Sequence, residues 1–237
     1  WMIKPQDFDE SKKYPVFIYV YGEPYAQTVL DNWGAAQIDF HRVVADLGYL
    51  VVSIDNRGTP APKGAAWRRS IFGSLGPLST EDQAAGLKEL GRTRSYVDLS
   101  RVAIWGWSGG GSFTLNAMTN TQEFKAGISG APVTDWHYYD TKWGEFAMKR
   151  PQDNPEGYEK TSFIKTAKNL HGRLLLVHGT YDDNVHPQNS WHFIDELIKE
   201  NIMFDMMFYP MRKHGFGDKP ARIHRQNTML EFWQKNL

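Results

Sequence analysis

Apolar residues along the chain follow two periods, and the alternation between the two predicts the fold. Residues 14–21 (YPVFIYVY after Lys13) form a continuous β-branched and aromatic run stopped by Gly22, the pattern of a strand covered on both faces. Residues 23–37 read as loop. Phe40, Val43, Val44 and Leu47 then recur at helical spacing, and Gly48 ends that stripe. Residues 49–54 predict a second buried strand, stopped by Asp55-Asn56-Arg57-Gly58. A Pro- and Gly-rich loop is expected over 59–78, with Ser79 or Thr80 capping a helix over 81–90. Further strands are predicted at 102–105, 126–128, 174–177 and 203–209, with helices after Ser108, over about 188–200 and over about 221–237. Strands and helices alternating at this spacing give an α/β protein, a doubly wound, mostly parallel sheet with helices on both faces. Only 133–168 breaks the alternation. That segment is long, aromatic and poorly periodic, and it reads as an excursion over the carboxyl edge of the sheet, where such folds bind ligands.

Composition narrows the chemistry. At 237 residues the chain is long enough to bury a full core. Lys+Arg and Asp+Glu are both 27, so no net field favours nucleic acid or an anionic surface as a partner. With no cysteine, disulfides, thiolate metal sites and a cysteine nucleophile are excluded together. No apolar run reaches the length of a membrane span. No pair of the eight histidines has zinc-ligand spacing supported by a carboxylate, so neither metal nor other cofactor is expected. The chain opens on Trp1, almost directly at a strand, and reads as a segment of a longer polypeptide whose compartment (periplasmic or extracellular among the options) the sequence leaves open.

The chemistry centres on Ala103-Ile104-Trp105-Gly106-Trp107-Ser108-Gly109-Gly110-Gly111-Ser112. A short apolar strand, G-x-S-x-G and a helix opening on small residues make a nucleophile elbow, in which side chains at the glycines would strike neighbouring elements. Such a turn exposes Ser108 at a helix N-terminus, where the Gly109 N–H can face a developing oxyanion. An α/β hydrolase orders its triad as Ser, acid, His, each after a strand. The loop after 174–177 carries Asp182 and Asp183, and the loop after the last strand carries His214-Gly215. The pattern leaves the choice between the two aspartates open. His178, at a strand end, reads as structural.

These motifs resemble the catalytic domain of the prolyl oligopeptidase family, in its dipeptidyl-peptidase IV branch. The resemblance spans nearly the whole chain. It runs through Tyr21-Gly22-Glu23-Pro24, Asp55-Asn56-Arg57-Gly58, Glu81-Asp82-Gln83, Ala131-Pro132-Val133, Trp136-His137-Tyr138-Tyr139-Asp140, and the segment from His178 to His186. It implies one α/β-hydrolase peptidase domain over 1–237, without the N-terminal β-propeller of relatives. It also implies a Ser108-Asp182-His214 triad and an oxyanion hole of Tyr21 and Gly109. Asn184 would bind the substrate carbonyl one residue before the cleavage-site residue. The proline pocket would be boxed by Val133, Trp136, Tyr139 and Val185, whose apolar, donor-poor character suits a ring without an N–H. Without the resemblance, Trp136 and Tyr139 read as core packing.

Two positions depart from the branch. Gly109 replaces a tyrosine, which enlarges the pocket, and Trp143 stands where relatives close it with another tyrosine. The expected activity is a serine peptidase cutting after proline or small apolar residues, releasing N-terminal dipeptides in the parent protein. A stand-alone esterase or acyl hydrolase is the alternative, and a non-catalytic binding module the third reading. The expected partner is a peptide. A second copy of the chain, and a propeller if the parent chain is longer, complete the partners considered.

Overall fold

The computed structural model describes residues 1–32 and 37–237, so part of the expected 23–37 loop lies outside the described residues. Seven strands form one sheet: β1 (Met2–Ile3), β2 (Tyr14–Tyr19), β3 (Leu50–Val52), β4 (Val97–Trp107), β5 (Ala126–Gly130), β6 (Arg173–Gly179) and β7 (Asp205–Tyr209). Their order is β1-β3-β2-β4-β5-β6-β7. All neighbouring pairs are parallel except β1 with β3. From β2 the chain steps outward to β3 and then returns to the other side of β2 with β4. That reversal opens a crevice at the carboxyl ends of β2 and β4, the place where open α/β sheets bind ligands.

The helices are α1 (Ile38–Asp46), α2 (Gly64–Arg69), α3 (Pro77–Thr93), α4 (Gly109–Asn120), α5 (Thr141–Met148), α6 (Pro155–Lys160), α7 (Phe163–Thr166), α8 (Gln188–Lys199) and α9 (Lys219–Asn236). The period of two in the strands sends alternate residues to opposite faces. Phe17, Tyr19, Val51 and Trp105 join Phe40 of α1 and Phe232 and Trp233 of α9 in one core. Val16, Ile18, Leu50 and Ile104 pack with Leu87 of α3 and with Phe113 and Met118 of α4 in the other. A third cluster joins α5 and α6 to Val133, Trp136 and Val185 above the sheet edge, where the 133–168 excursion was expected to lie.

Several local expectations shift. Helix α3 starts at Pro77, with Gly76 rather than Ser79 or Thr80 at its N-cap. Proline at the first helical position leaves no N–H unpaired there, and its fixed φ suits a helix start. Ser79 and Thr80 are buried inside the first turns and accept from the side-chain amides of Asn56 (2.9 Å) and Asn116 (2.6 Å). The 59–78 loop contains α2, and the aromatic excursion contains α5, α6 and α7. Strand β4 begins five residues earlier than expected. Its register against β2 jumps from Pro15 opposite Asp98 to Val16 opposite Val102, and the intervening residues bulge outward.

Trp233 is the keystone of the α9 face. It is buried, with its ring 4.1 Å from Phe17 and 6.4 Å from Trp105 between centroids. Trp233→Ala should cost about 3–5 kcal/mol of stability, whereas Phe146→Ala, at an exposed side chain, should cost under about 0.5 kcal/mol. Chemical denaturation of both variants checks the contrast.

Candidate active site

Ser108 sits at the turn between β4 and α4 with φ 61° and ψ −123°. A non-glycine residue there is strained by about 1–3 kcal/mol and persists only where its surroundings hold it. The surroundings here are backbone. The Ser108 N–H donates to the Gly130 carbonyl at 2.8 Å, and the Ser112 N–H donates to the Ser108 carbonyl at 3.0 Å. A Cβ on Gly106 would strike the Gly110 backbone and the Val20 carbonyl. One on Gly110 would meet that same carbonyl, and one on Gly111 would meet the carbonyl of Gly130. The glycines thus let α4 press directly on β2 and β5.

Ser108 Oγ lies 2.9 Å from His214 Nε2, and His214 Nδ1 lies 2.8 Å from Asp182 Oδ2. The His214 loop is pinned by the Trp107 indole, which donates to the His214 carbonyl at 2.9 Å. Asp182 is buried, and its Oδ1 accepts the N–H groups of Asn184 (3.0 Å) and Val185 (2.9 Å). Burial alone would push its carboxyl up. Hydrogen bonds from His178 and His214 outweigh that and hold it well below the usual carboxylate range. Asp183 points outward and pairs with Lys213 instead. The two adjacent aspartates therefore face opposite ways.

His178, read as structural, touches the acid directly. Its Nε2 lies 3.2 Å from Asp182 Oδ2 and 2.9 Å from the Val185 carbonyl, while its Nδ1 lies 2.7 Å from Ser190 Oγ. Two acceptors at Nε2 place the proton there, and Nδ1 then accepts from the serine. The sequence signal was its place at the end of a buried strand, four residues before Asp182.

Tyr21 follows β2, and its hydroxyl faces Ser108. Burial, reinforced by the nearby Glu23 carboxyl, raises this phenol and keeps it a neutral donor. Its loop is held by Asn56, whose amide donates to the Gly22 carbonyl at 3.1 Å. Arg57 in turn grips Asp82 with its guanidinium and its N–H. Gly22 has φ 85°, and a Cβ there would run into the Phe113 ring. No acceptor among the described residues takes the Gly109 N–H, which opens α4 beside Ser108.

Val133, Trp136, Tyr139, Trp143 and Val185 belong to one cluster, tied to α4 by the Val133 N–H, which donates to Ser112 Oγ at 2.9 Å. Trp136 and Trp143 stack at 5.1 Å, and Tyr139 stands edge-on to both. The Tyr139 hydroxyl donates to Asn184 Oδ1 at 2.8 Å, and burial pushes it up to about 12. The space beside Gly109 departs from expectation. It is not open, because a Cβ at 109 would land on the Glu23 carboxyl group. Glu23 therefore fills the room that the missing tyrosine was expected to vacate. The sequence offered no signal for this beyond a carboxylate two residues after Tyr21.

A serine, a histidine and an ionised aspartate in one hydrogen-bonded line, with donors beside the serine, can drive acyl transfer. A family model described as "Prolyl oligopeptidase family" matches residues 22–237. The chain belongs to the prolyl oligopeptidase family. "Probable dipeptidyl-aminopeptidase B" of Paracoccidioides lutzii is 44% identical over 219 residues, covering 90% of this chain and 23% of that protein. Its namesake from Coccidioides posadasii is 42% identical over 232 residues, covering 96% and 24%. The crystal structure of Porphyromonas gingivalis dipeptidyl peptidase 4 superposes with a TM-score of 0.95 at 40% identity, over all of this chain and 33% of that one. The fold is thus that of an α/β-hydrolase domain of this family, and the chain spans about a quarter of the length of the curated relatives it matches.

Burial pushes the Glu23 carboxyl up to about 8. The folded protein therefore holds a proton at neutral pH that the unfolded chain releases near a glutamate's ordinary value of about 4.3. The stability contributed by that proton is complete below the unfolded value and is lost as pH rises through about 8. Between about pH 5 and pH 8 the unfolding temperature should fall for the wild type relative to Glu23→Gln. Calorimetry across that range checks the sign, and a constant gap would mean that the carboxyl is solvated.

Proposed function

We propose that this chain is the catalytic domain of a serine peptidase that cuts after proline or small apolar residues through an acyl-enzyme. The observation that carries the reading is the hydrogen-bonded line from Ser108 through His214 to Asp182, whose acid is joined by the Val185 N–H to an aromatic cluster. Ser108 Oγ attacks the scissile carbonyl carbon as its proton passes to His214 Nε2. The Gly109 N–H and the Tyr21 hydroxyl stabilise the oxyanion, a service worth about 3–4 kcal/mol per donor in comparable sites. Collapse expels the amine, which takes the proton from His214. Water then repeats the sequence and frees the acid. Asp182 holds the imidazole tautomer, and His178 holds Asp182. In this reading Asn184, whose Oδ1 accepts from Tyr139, holds a substrate carbonyl through its amide.

Release of N-terminal dipeptides is proposed for the longer protein, with a peptide as its partner and a propeller as the domain that restricts entry. The family membership and the part-length match support that reading, and the exposed Tyr25, Phe72 and Phe146 give the domain an apolar rim that another domain would cover. A second copy of the chain remains part of the proposal. Among the described residues, no helix is long and apolar enough to cross a membrane.

Ser108→Ala should abolish labelling by a fluorophosphonate while the protein stays folded. Asp182→Asn should lower turnover of a dipeptidyl nitroanilide about ten-thousandfold, because the imidazole then takes the wrong tautomer. Asp183→Asn should cost less than about threefold, as expected for an exposed pair. Labelling of the alanine variant, or a larger loss at Asp183, would overturn the assignment.

A further inference from the structure

Glu23 occupies a position that the reaction as described leaves without a task. Its side chain lies against Gly109, where the Cγ, Cδ and Oε1 atoms fill the space of a residue-109 side chain. The Glu23 carboxyl has neither a hydrogen-bond donor nor a cation paired with it among the described residues. Its titratable neighbours are Tyr21 on the loop after β2 and Tyr139 in the excursion, with the triad of Ser108, Asp182 and His214 beyond them. Tyr139 cannot serve it, since that hydroxyl is committed to Asn184. The other members of this cluster, Val133, Trp136, Trp143 and Val185, are apolar apart from the two indole nitrogens, and the buried Trp136 Nε1 has no hydrogen-bond partner among the described residues. A carboxyl without a partner among the described residues thus lies against Gly109, close enough to Tyr21 and Tyr139 to raise both phenols.

We propose that Glu23 is a specificity-determining residue of the acyl pocket, selecting substrates whose residue before the scissile bond carries a side-chain hydrogen-bond donor such as a hydroxyl. The inference rests on the peptidase reading above and refines its residue preference. A half-buried carboxyl without a partner carries an uncompensated desolvation cost once a substrate closes over it. A bound hydroxyl removes that cost, whereas a bare methyl or ring seals the carboxyl away from water and leaves it unpaired. Sites that hydrogen-bond a substrate hydroxyl discriminate strongly against analogues without one, while purely apolar pockets barely distinguish a hydroxyl from its isostere. The carboxyl is equipped for this in both protonation states. Burial favours its neutral form, which both donates and accepts, and the ionised form still accepts.

The test compares kcat/KM for matched dipeptidyl nitroanilides, Gly-Ser against Gly-Ala and Gly-Thr against Gly-Val, with fluorophosphonate labelling of Ser108 measured in parallel. The wild type should favour the hydroxylated member of each pair by about tenfold or more. Glu23→Ala should lose that preference and retain labelling, and Glu23→Gln, which keeps a donor and an acceptor, should retain most of it. A wild type that prefers alanine and valine overturns the proposal, as does a serine preference that survives in Glu23→Ala. Labelling of Ser108 with cleavage of Gly-Pro nitroanilide but of none of the four reporters overturns this inference alone, whereas labelling with Gly-Pro also left intact removes the peptidase reading and this inference with it.

Discussion

Everything in the site depends on one close approach of backbone to backbone. Helix α4 begins against the Val20 and Gly130 carbonyls, and only residues without a Cβ fit at Gly106, Gly110 and Gly111. That contact holds Ser108 at φ 61°, a strain of about 1–3 kcal/mol that the bonds to Gly130 and Ser112 sustain. It lifts the serine clear of the sheet and leaves the Gly109 N–H beside it without an acceptor among the described residues. The catalytic geometry is thus a consequence of packing. A side chain at any of the three glycines would move the helix, and the nucleophile with it.

The sheet supplies the rest by its order. The reversal at β2 and β4 brings the Tyr21 loop and the Ser108 turn to one crevice. The loops after β6 and β7 deliver Asp182 and His214 from the neighbouring strands. Each arm is tied down by a separate polar contact. Asn56 holds Gly22, Trp107 holds the His214 carbonyl, and the Asn184 and Val185 amides hold Asp182. His178 adds a second histidine on the acid, buried between Ser190 and Asp182. It resists any shift of the carboxylate away from His214, because the Asp182 Oδ2 atom serves both rings.

The pocket shows how one substitution can be answered elsewhere in the chain. Gly109 carries no side chain, yet the room beside it is taken by Glu23 from the loop after β2. The filling is polar where a purely apolar wall would suit a proline ring. The residue that gives this space its polar character lies 86 positions earlier in the chain.

Hydrophobic period and glycine spacing determined a great deal by themselves. Short continuous apolar runs at β2 and β6, placed in an alternation with helical stripes, read as strands covered on both sides, and G-x-S-x-G between a strand and a helix constrains backbone that side chains at its glycines would obstruct. Local rules of this kind depend on neighbours in sequence, so residues 103–112 carried them in full. The order of Ser108, Asp182 and His214 followed from the same topology. The sequence pattern could not choose between Asp182 and Asp183, since the choice depends on which carboxylate two amides and two histidines reach. Nor could it place Glu23, His178 or the start of α3. Each of these is decided by contacts across 4 to 86 residues, in a space that exists only once the sheet has closed over it. Local pattern fixes where the chain can turn; only packing decides which side chain fills the room that a turn leaves.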